Sequence, residues 1–534
     1  MKTHISFIIL IVYLVPLQAQ IWDWGRQGED NEAPSWASYT GTFSAVDPLG
    51  NIVIVGNPKD TLRFGNTQLL PEEGFMVKYA PDGDVIWAKP FVTNGCDWNS
   101  NGGGITIDDN GDIYIAFNCD TIPNANHFFI KRFDAQGNEL KSFSSYGAVS
   151  GTVYDIALDA SGNIFVCGSV SKFGSGDSLY LGGKGVDRGL LQRPFLFKLD
   201  PNGNCIWARS DATTFWQSAF GFTSGDRVAI DKQGNAYLLG VTNATITFGP
   251  GLDITIPSWS NGQVYIVKYD VNGGVEWMKY SDPVHSTFDD YDVDGLEISP
   301  DGEIYMMGRY PNAITWEGQS VFSNAFNGNF IIKLDDQGDL LWINRMLIEG
   351  TATSYGGGDL ALDTLNDRVF VMGVGGGASI DTFTVLCNGS TSDIRTHIGA
   401  FDENGTPLWL YNVPCSPVYE GEIFGDEISY VDGGFLYISG TLEDGIFALD
   451  TLVSPNGFSP FIARLLEKEA SLVGRVFRDF NGNGILDSND YGLPNQIVRS
   501  FPLNYVSNTN SAGVFQFGVN LTTHEVVLPF LPQH

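Results

Sequence analysis

The stretch "RDFNGNGILDSND" (478–490) sets oxygen-bearing side chains at regular intervals. Counted from Asp479, Asn481 and Asn483 take the third and fifth places, Gly484 the sixth, Ile485 the seventh, and Asp487 and Asp490 the ninth and twelfth. That is the spacing of a calcium loop: hard oxygen donors wrap one cation, the carbonyl of the seventh residue adds a ligand, and glycine at the sixth permits the sharp turn. Magnesium, smaller and strictly octahedral, suits such a loop less well. The competing reading is a metal-free Asn/Asp/Gly turn, a kind this chain uses often. The expected metal ligands are Asp479, Asn481, Asn483, Ile485, Asp487 and Asp490, with Ca2+ in a structural role.

Other chemistry is harder to find. "FDDYDVDG" (288–295) offers Asp289, Asp290, Asp292 and Asp294 as a second cation site or as an acidic loop between repeats, and the loop is the expectation. "GVGGGAS" (373–379) follows a strand with no helix or GK[ST] after it, so it reads as a turn and not a phosphate cradle. His127, His285, His397 and His524 are dispersed, and neither HExxH nor G-x-S-x-G occurs. Carboxylates are abundant enough to leave a glycosidase pair open, yet turn positions account for nearly all of them. The twelve Trp recur at strand ends, as packing residues would.

Net charge −33 is spread along the chain, which serves solubility and argues against nucleic acid as a partner. Cys96, Cys119, Cys167, Cys205, Cys387 and Cys415 include no CxxC pair, so zinc and redox motifs are not indicated; pairing of Cys96 with Cys119 and of Cys387 with Cys415 stands beside buried free thiols. Lys2, the apolar run Ile5 to Val15 and the small-residue end at Ala19 have the parts of an export signal (1–19). No other segment approaches the ~20 apolar residues of a spanning helix. The mature chain is therefore expected to be secreted or at the cell surface, without a membrane span, and to act as a monomer.

What positions any site is a repeat. "VDPLGNIVIVG" (46–56) returns as "IDDNGDIYIAF" (107–117), "LDASGNIFVCG" (158–168), "IDKQGNAYLLG" (230–240), "ISPDGEIYMMG" (298–308), "LDTLNDRVFVMG" (362–373) and "VDGGFLYISG" (431–440). Each copy then carries a second hairpin, and six of the seven include its turn, as in "FMVKYAPDGDVIW" (75–87), "FLFKLDPNGNCIW" (195–207) and "FIIKLDDQGDLLW" (330–342). Strand, D-x-x-G turn, strand is a hairpin, and two hairpins make a four-stranded sheet that buries its faces only by stacking on its neighbours. Copy seven ends at "FIARLL" (461–466), without the last strand, while "IWDWGRQG" (21–28) matches the ends of other copies. Residues 21–26 are expected to close the ring as the outer strand of the last blade.

These phrases resemble the SBBP-type beta-propeller repeat of exported Bacteroidota proteins over about residues 21–470, with Lys141 standing where copy two would carry Trp. After Glu469 the pattern changes, and Gly474, Val476, Phe477, Asp479, Asn481, Asn483, Gly484, Asp487, Asp490, Gly492 and Leu493 resemble the phrase of the Sdr-type B repeat, an immunoglobulin-like sandwich whose calcium stiffens surface modules. The expected architecture is all-β: a seven-bladed β-propeller (20–470) followed by a small immunoglobulin-like β-sandwich (471–534). The chain stops at "LPFLPQH" (528–534) without a sorting module, so the second domain reads as cut short or attached by another route. The expected function is binding or adhesion, without catalysis, to a protein or glycan ligand. The alternative is a polysaccharide-active hydrolase or lyase with its site in the propeller funnel.

Overall fold

Each repeat folds as its turn chemistry dictates. In the first, Gly50 adopts φ +78° and its N–H donates to the carbonyl of Asp47 (2.8 Å), while the Asp47 carboxylate accepts from the N–H groups of Leu49 and Asn51, both at 2.9 Å. A side chain that caps its own turn explains why Asp and Gly recur together. The computed structural model describes the strands and the short turns joining them; outside the described residues lie 1–6, 16–18, 31–39, 58–60, 71–73, 94–97, 120–125, 190–191, 211–222, 258–261, 284–290, 311, 324–327, 350–357, 382, 387–393, 414–422, 432–433, 448–449, 454–458, 469, 480–490, 493–496, 502–504, 509–513, 520–524 and 528–534.

Seven antiparallel blades follow one another, and no helix occurs among the described residues. Their inner strands are Thr40–Val46, Trp98–Ile107, Tyr146–Leu158, Thr223–Ile230, Asp292–Ile298, Gly358–Asp363 and Ile423–Val431, in blades 1 to 7. The second strands Ile52–Asn57 of blade 1 and Ala236–Thr242 of blade 4 are buried at every position because a neighbouring blade covers each face. Hydrophobic clusters accordingly join adjacent blades: Phe165 and Trp207 of blade 3 pack with Leu238 and Tyr265 of blade 4.

A repeated latch fixes one blade to the next. The Trp207 indole donates to the carbonyl of Val271 (3.1 Å), and Trp342 does the same to Glu403 (3.0 Å). Beneath Trp207 lies Gly273, whose φ of +79° and 2.8 Å approach to the indole both exclude a side chain. Blade 2 lacks the Trp, and there Lys141 reaches Asn202 of blade 3 (2.6 Å) while Phe143 covers Gly203. The outer strand of blade 7 is Ala19–Gln27, beside Ser459–Lys468. Gly28 donates to the carbonyl of Pro460 (2.9 Å), and Trp24 repeats the latch on Pro81 of blade 1 (3.1 Å).

The chain divides into two compact units, Trp24–Arg464 and a second made of Met1–Asp23 with Leu465–His534. In the second, Ala470–Asp479 pairs with Phe7–Val15, Tyr491–Gly492 and Val514–Val519, and a separate sheet joins Tyr505–Asn508, Ile497–Phe501 and Glu525–Val527. Cys167 and Cys205 are buried free thiols and Cys119 is disulfide-bonded, while Cys96, Cys387 and Cys415 lie outside the described residues.

Candidate active site

Glycine at the end of the second strand prepares the site. In blades 3, 4, 5 and 7 this residue is Gly168, Gly240, Gly308 or Gly440, and a Cβ there would lie 2.0–2.1 Å from the facing inner-strand carbonyl. Opposite it the inner strand bulges: the pairing steps from Gly225 to Arg227 in blade 4 and from Val293 to Gly295 in blade 5, which leaves Asp226 and Asp294 as extra residues. Tyr154 and Asp426 are the extra residues of blades 3 and 7. Bulges re-aim side chains, and here the residues that follow three of them, Asp155, Arg227 and Glu427, line the space enclosed by the inner strands.

The inner strands enclose a channel of about 380 Å³ whose lining includes Asp155, Arg227, Glu297, Asp359 and Glu427. That volume falls within the ~300–1,000 Å³ of ordinary ligand pockets. Some of these acids also tie blades together. Asp155 accepts from the N–H of Val228 in the next blade (2.9 Å), Asp359 from that of Ile428 (3.0 Å), and Asp426 from both the N–H (3.1 Å) and the hydroxyl (3.0 Å) of Thr42. Structural ties alone leave two features unexplained. The carboxyls of Asp359 and Glu427 hydrogen-bond one another, so the pair holds a proton between them. Glu297, enclosed by the ring yet accessible from the channel, has no hydrogen bond or ion pair to protein among the described residues.

Enclosure shifts these acids by different amounts. Burial raises Asp155 to about 6, against the pull of Arg227 and two backbone N–H donors. Asp359 likewise rises to about 6, held back by the N–H of Ile428 and by Arg227, while burial and then the Asp359 charge push Glu427 well above the carboxylate range. Glu297 reaches about 8 through enclosure, with the charges of Asp359 and Asp155 adding. Burial also lifts Asp226 and Asp294 to about 7. Near neutrality the channel therefore holds protonated and ionised carboxyls side by side.

The sequence reading of 288–295 as a loop is corrected for Asp292–Gly295, which lie on the inner strand of blade 5, where Asp292 and Asp294 pair with Arg309. His397 is buried with its Nε2 2.9 Å from the Gly375 carbonyl and is lowered to about 4, an inert core histidine. Of the expected calcium ligands, Asp479 ends a strand, and Asn481, Asn483, Ile485, Asp487 and Asp490 lie outside the described residues. No three metal-binding side chains converge elsewhere among the described residues, and no helix there is long and apolar enough to cross a membrane.

No family model matches the chain, and no curated protein matches it. Solved structures do. A member of the DUF4221 family from Bacteroides vulgatus is similar over 85% of this chain and 99% of its own, at 9% identity and TM-score 0.33. The α-L-arabinanase of Penicillium chrysogenum, complexed with arabinobiose, covers 83% of this chain and 98% of its own, at 9% identity and TM-score 0.38. A glucose dehydrogenase covers 67% and 94%, at 10% identity and TM-score 0.31. Likeness at this level concerns the fold alone. The expectation of a chain without catalysis is corrected only so far: the propellers similar to it include an arabinanase and a glucose dehydrogenase.

Proposed function

We propose that the propeller is a glycan-cleaving hydrolase whose central channel supplies acid and base from carboxyls on blades 5 and 6. What supports this is the lining of the channel, where Glu297 stands without a protein partner among the described residues and Asp359 is paired with Glu427; Glu297 is raised to about 8 and Asp359 to about 6. Carboxyls pushed apart in this way take different roles at one pH. Glu297, protonated, gives its proton to the leaving glycosidic oxygen; Asp359, ionised, activates water or stabilises the oxocarbenium-like centre. Glu427 keeps its proton on the shared hydrogen bond and so orients Asp359. A polar channel suits sugar hydroxyls, which both donate and accept.

This reading places the protein outside the cytoplasm, supported by the signal-like residues 1–19. It also keeps a structural role for Ca2+ at Asp479, Asn481, Asn483, Ile485, Asp487 and Asp490, supported by their spacing.

The test is release of reducing ends from a panel of neutral and acidic polysaccharides by the full chain and by Asp359→Asn. Cleavage of at least one polymer, falling at least about 100-fold in the folded variant, is expected. No cleavage of any polymer, or equal rates in the two proteins, overturns the proposal.

A further inference from the structure

Arg227 is the single cation among the carboxyls named along this lining, and its bonding is unusual for such a place. Nε donates to the carbonyl of Asp294 (2.7 Å) and Nη1 to the carbonyl of Asp226 (3.0 Å). Both acceptors are backbone, so the guanidinium is pinned in orientation without losing charge to a partner. Its second terminal nitrogen, Nη2, meets no acceptor among the described residues. Nor does any described carboxylate come close enough to form an ion pair, although Asp155, Glu427, Asp294 and Asp359 all act on Arg227 through their fields. Burial works against the charge, and those four acids outweigh it and hold the guanidinium charged.

A charged, fixed and unpaired guanidinium edge facing a cavity is prepared for an anion. Carboxylate is the anion that its planar donors fit best among sugar substituents. We propose that Arg227 receives the carboxylate of a uronic-acid residue, so that the channel's substrate class is an acidic, uronate-bearing glycan. The inference rests on the reading of the channel as a glycan-cleaving site and narrows it. Neighbouring acids do not oppose such a ligand as strongly as their number suggests, because Glu297 and Glu427 hold protons near neutrality and add no negative charge there.

The test measures binding to the full chain by calorimetry at neutral pH, using uronate oligomers (oligogalacturonate and oligoglucuronate), the same oligomers as methyl esters, and neutral oligomers of equal length. The acids are expected to bind at least about tenfold tighter than their esters, the loss of one charge-assisted bond. The preference should vanish in Arg227→Gln and survive in part in Arg227→Lys, which keeps charge but not the planar fork. Esters binding as well as acids, an unchanged preference in folded Arg227→Gln, an oligoglutamate peptide binding equally, or no binding of any uronate overturns the inference. Where Arg227→Gln fails to fold, the ester comparison on the unaltered chain decides alone. Cleavage of neutral glycans without acid preference would sink this inference and leave the hydrolase reading standing; Arg227-dependent uronate binding without cleavage of any glycan would do the reverse.

Discussion

Replacing Glu297 by Gln keeps the volume of the side chain and removes its proton-donating carboxyl. In the unaltered protein the acid stands at about 8 and Asp359 at about 6, so at pH 7 Glu297 is protonated by roughly tenfold and Asp359 ionised by roughly tenfold. The profile of kcat/KM against pH should then be a bell, falling below about 6 as Asp359 gains a proton and above about 8 as Glu297 loses one. In Glu297→Gln the basic limb should disappear and the acidic limb persist. The rate should drop by about 10²- to 10⁴-fold, which corresponds to about 3–5 kcal/mol of transition-state stabilisation. Leaving groups that need no proton provide an internal control: an aryl glycoside of an acidic phenol should lose far less than a natural glycan. Initial rates across pH on both substrates, with melting curves to show that the variant is folded, make the assay. A folded variant that retains the basic limb, or that loses the same factor on both substrates, refutes the assignment of Glu297 as the acid.

Three further outcomes follow from the architecture. Trp24→Ala removes a buried indole that packs with Tyr437 and Ile462 and donates to Pro81, so it should cost about 3–5 kcal/mol and lower the melting temperature; an unchanged melt would refute the closing role of this strand. Asp155, Asp226, Asp294, Asp359 and Asp426 all have folded values of about 6 to 7, above the ordinary 3.8, so the native state holds protons that the unfolded chain has released. Stability from these groups is therefore present at pH 4 and lost as pH rises toward 7, whereas Asp47, Asp159 and Asp363, whose values are lowered, add stability that is lost only as pH falls through and below 3.8. The melting temperature should be higher at pH 5 than at pH 8, and Asp226→Asn should flatten the slope; equal melts at both values would contradict the shifts. Chelation should increase protease cutting within 471–534 if calcium fills the loop at Asp479 to Asp490, and unchanged resistance would remove the metal site.

The propeller was legible because its signal is local and repeated. Asp47 and Gly50 make a turn through bonds within five residues, and the same arithmetic holds at Asp159 and Gly162 or at Asp231 and Gly234. Seven weak statements of one pattern specify a ring more firmly than any single strong motif. Even the departure at Lys141 has a local answer, since a longer cation reaches the next blade's turn where an indole elsewhere does.

The channel was illegible for the opposite reason. Asp155, Arg227, Glu297, Asp359 and Glu427 come from five different blades, and no spacing in the chain relates them. Their surroundings also resemble something blander: Asp155 stands four residues before a turn Asp that has a purely conformational task, and the run before Glu297, with Asp294 in it, reads as an acidic loop. One signal was present and went unused. Where the second strand ends in Gly168, Gly240, Gly308 or Gly440, the missing Cβ admits an inner-strand bulge, and the residue that follows the bulge is Asp155, Arg227, Gly295 or Glu427. Three of these four are ionisable, and all three line the channel. In a propeller, then, chemistry is found by comparing repeats where they differ: the positions shared by all copies build the blades, and the charged ones that vary on the inner strand build the site.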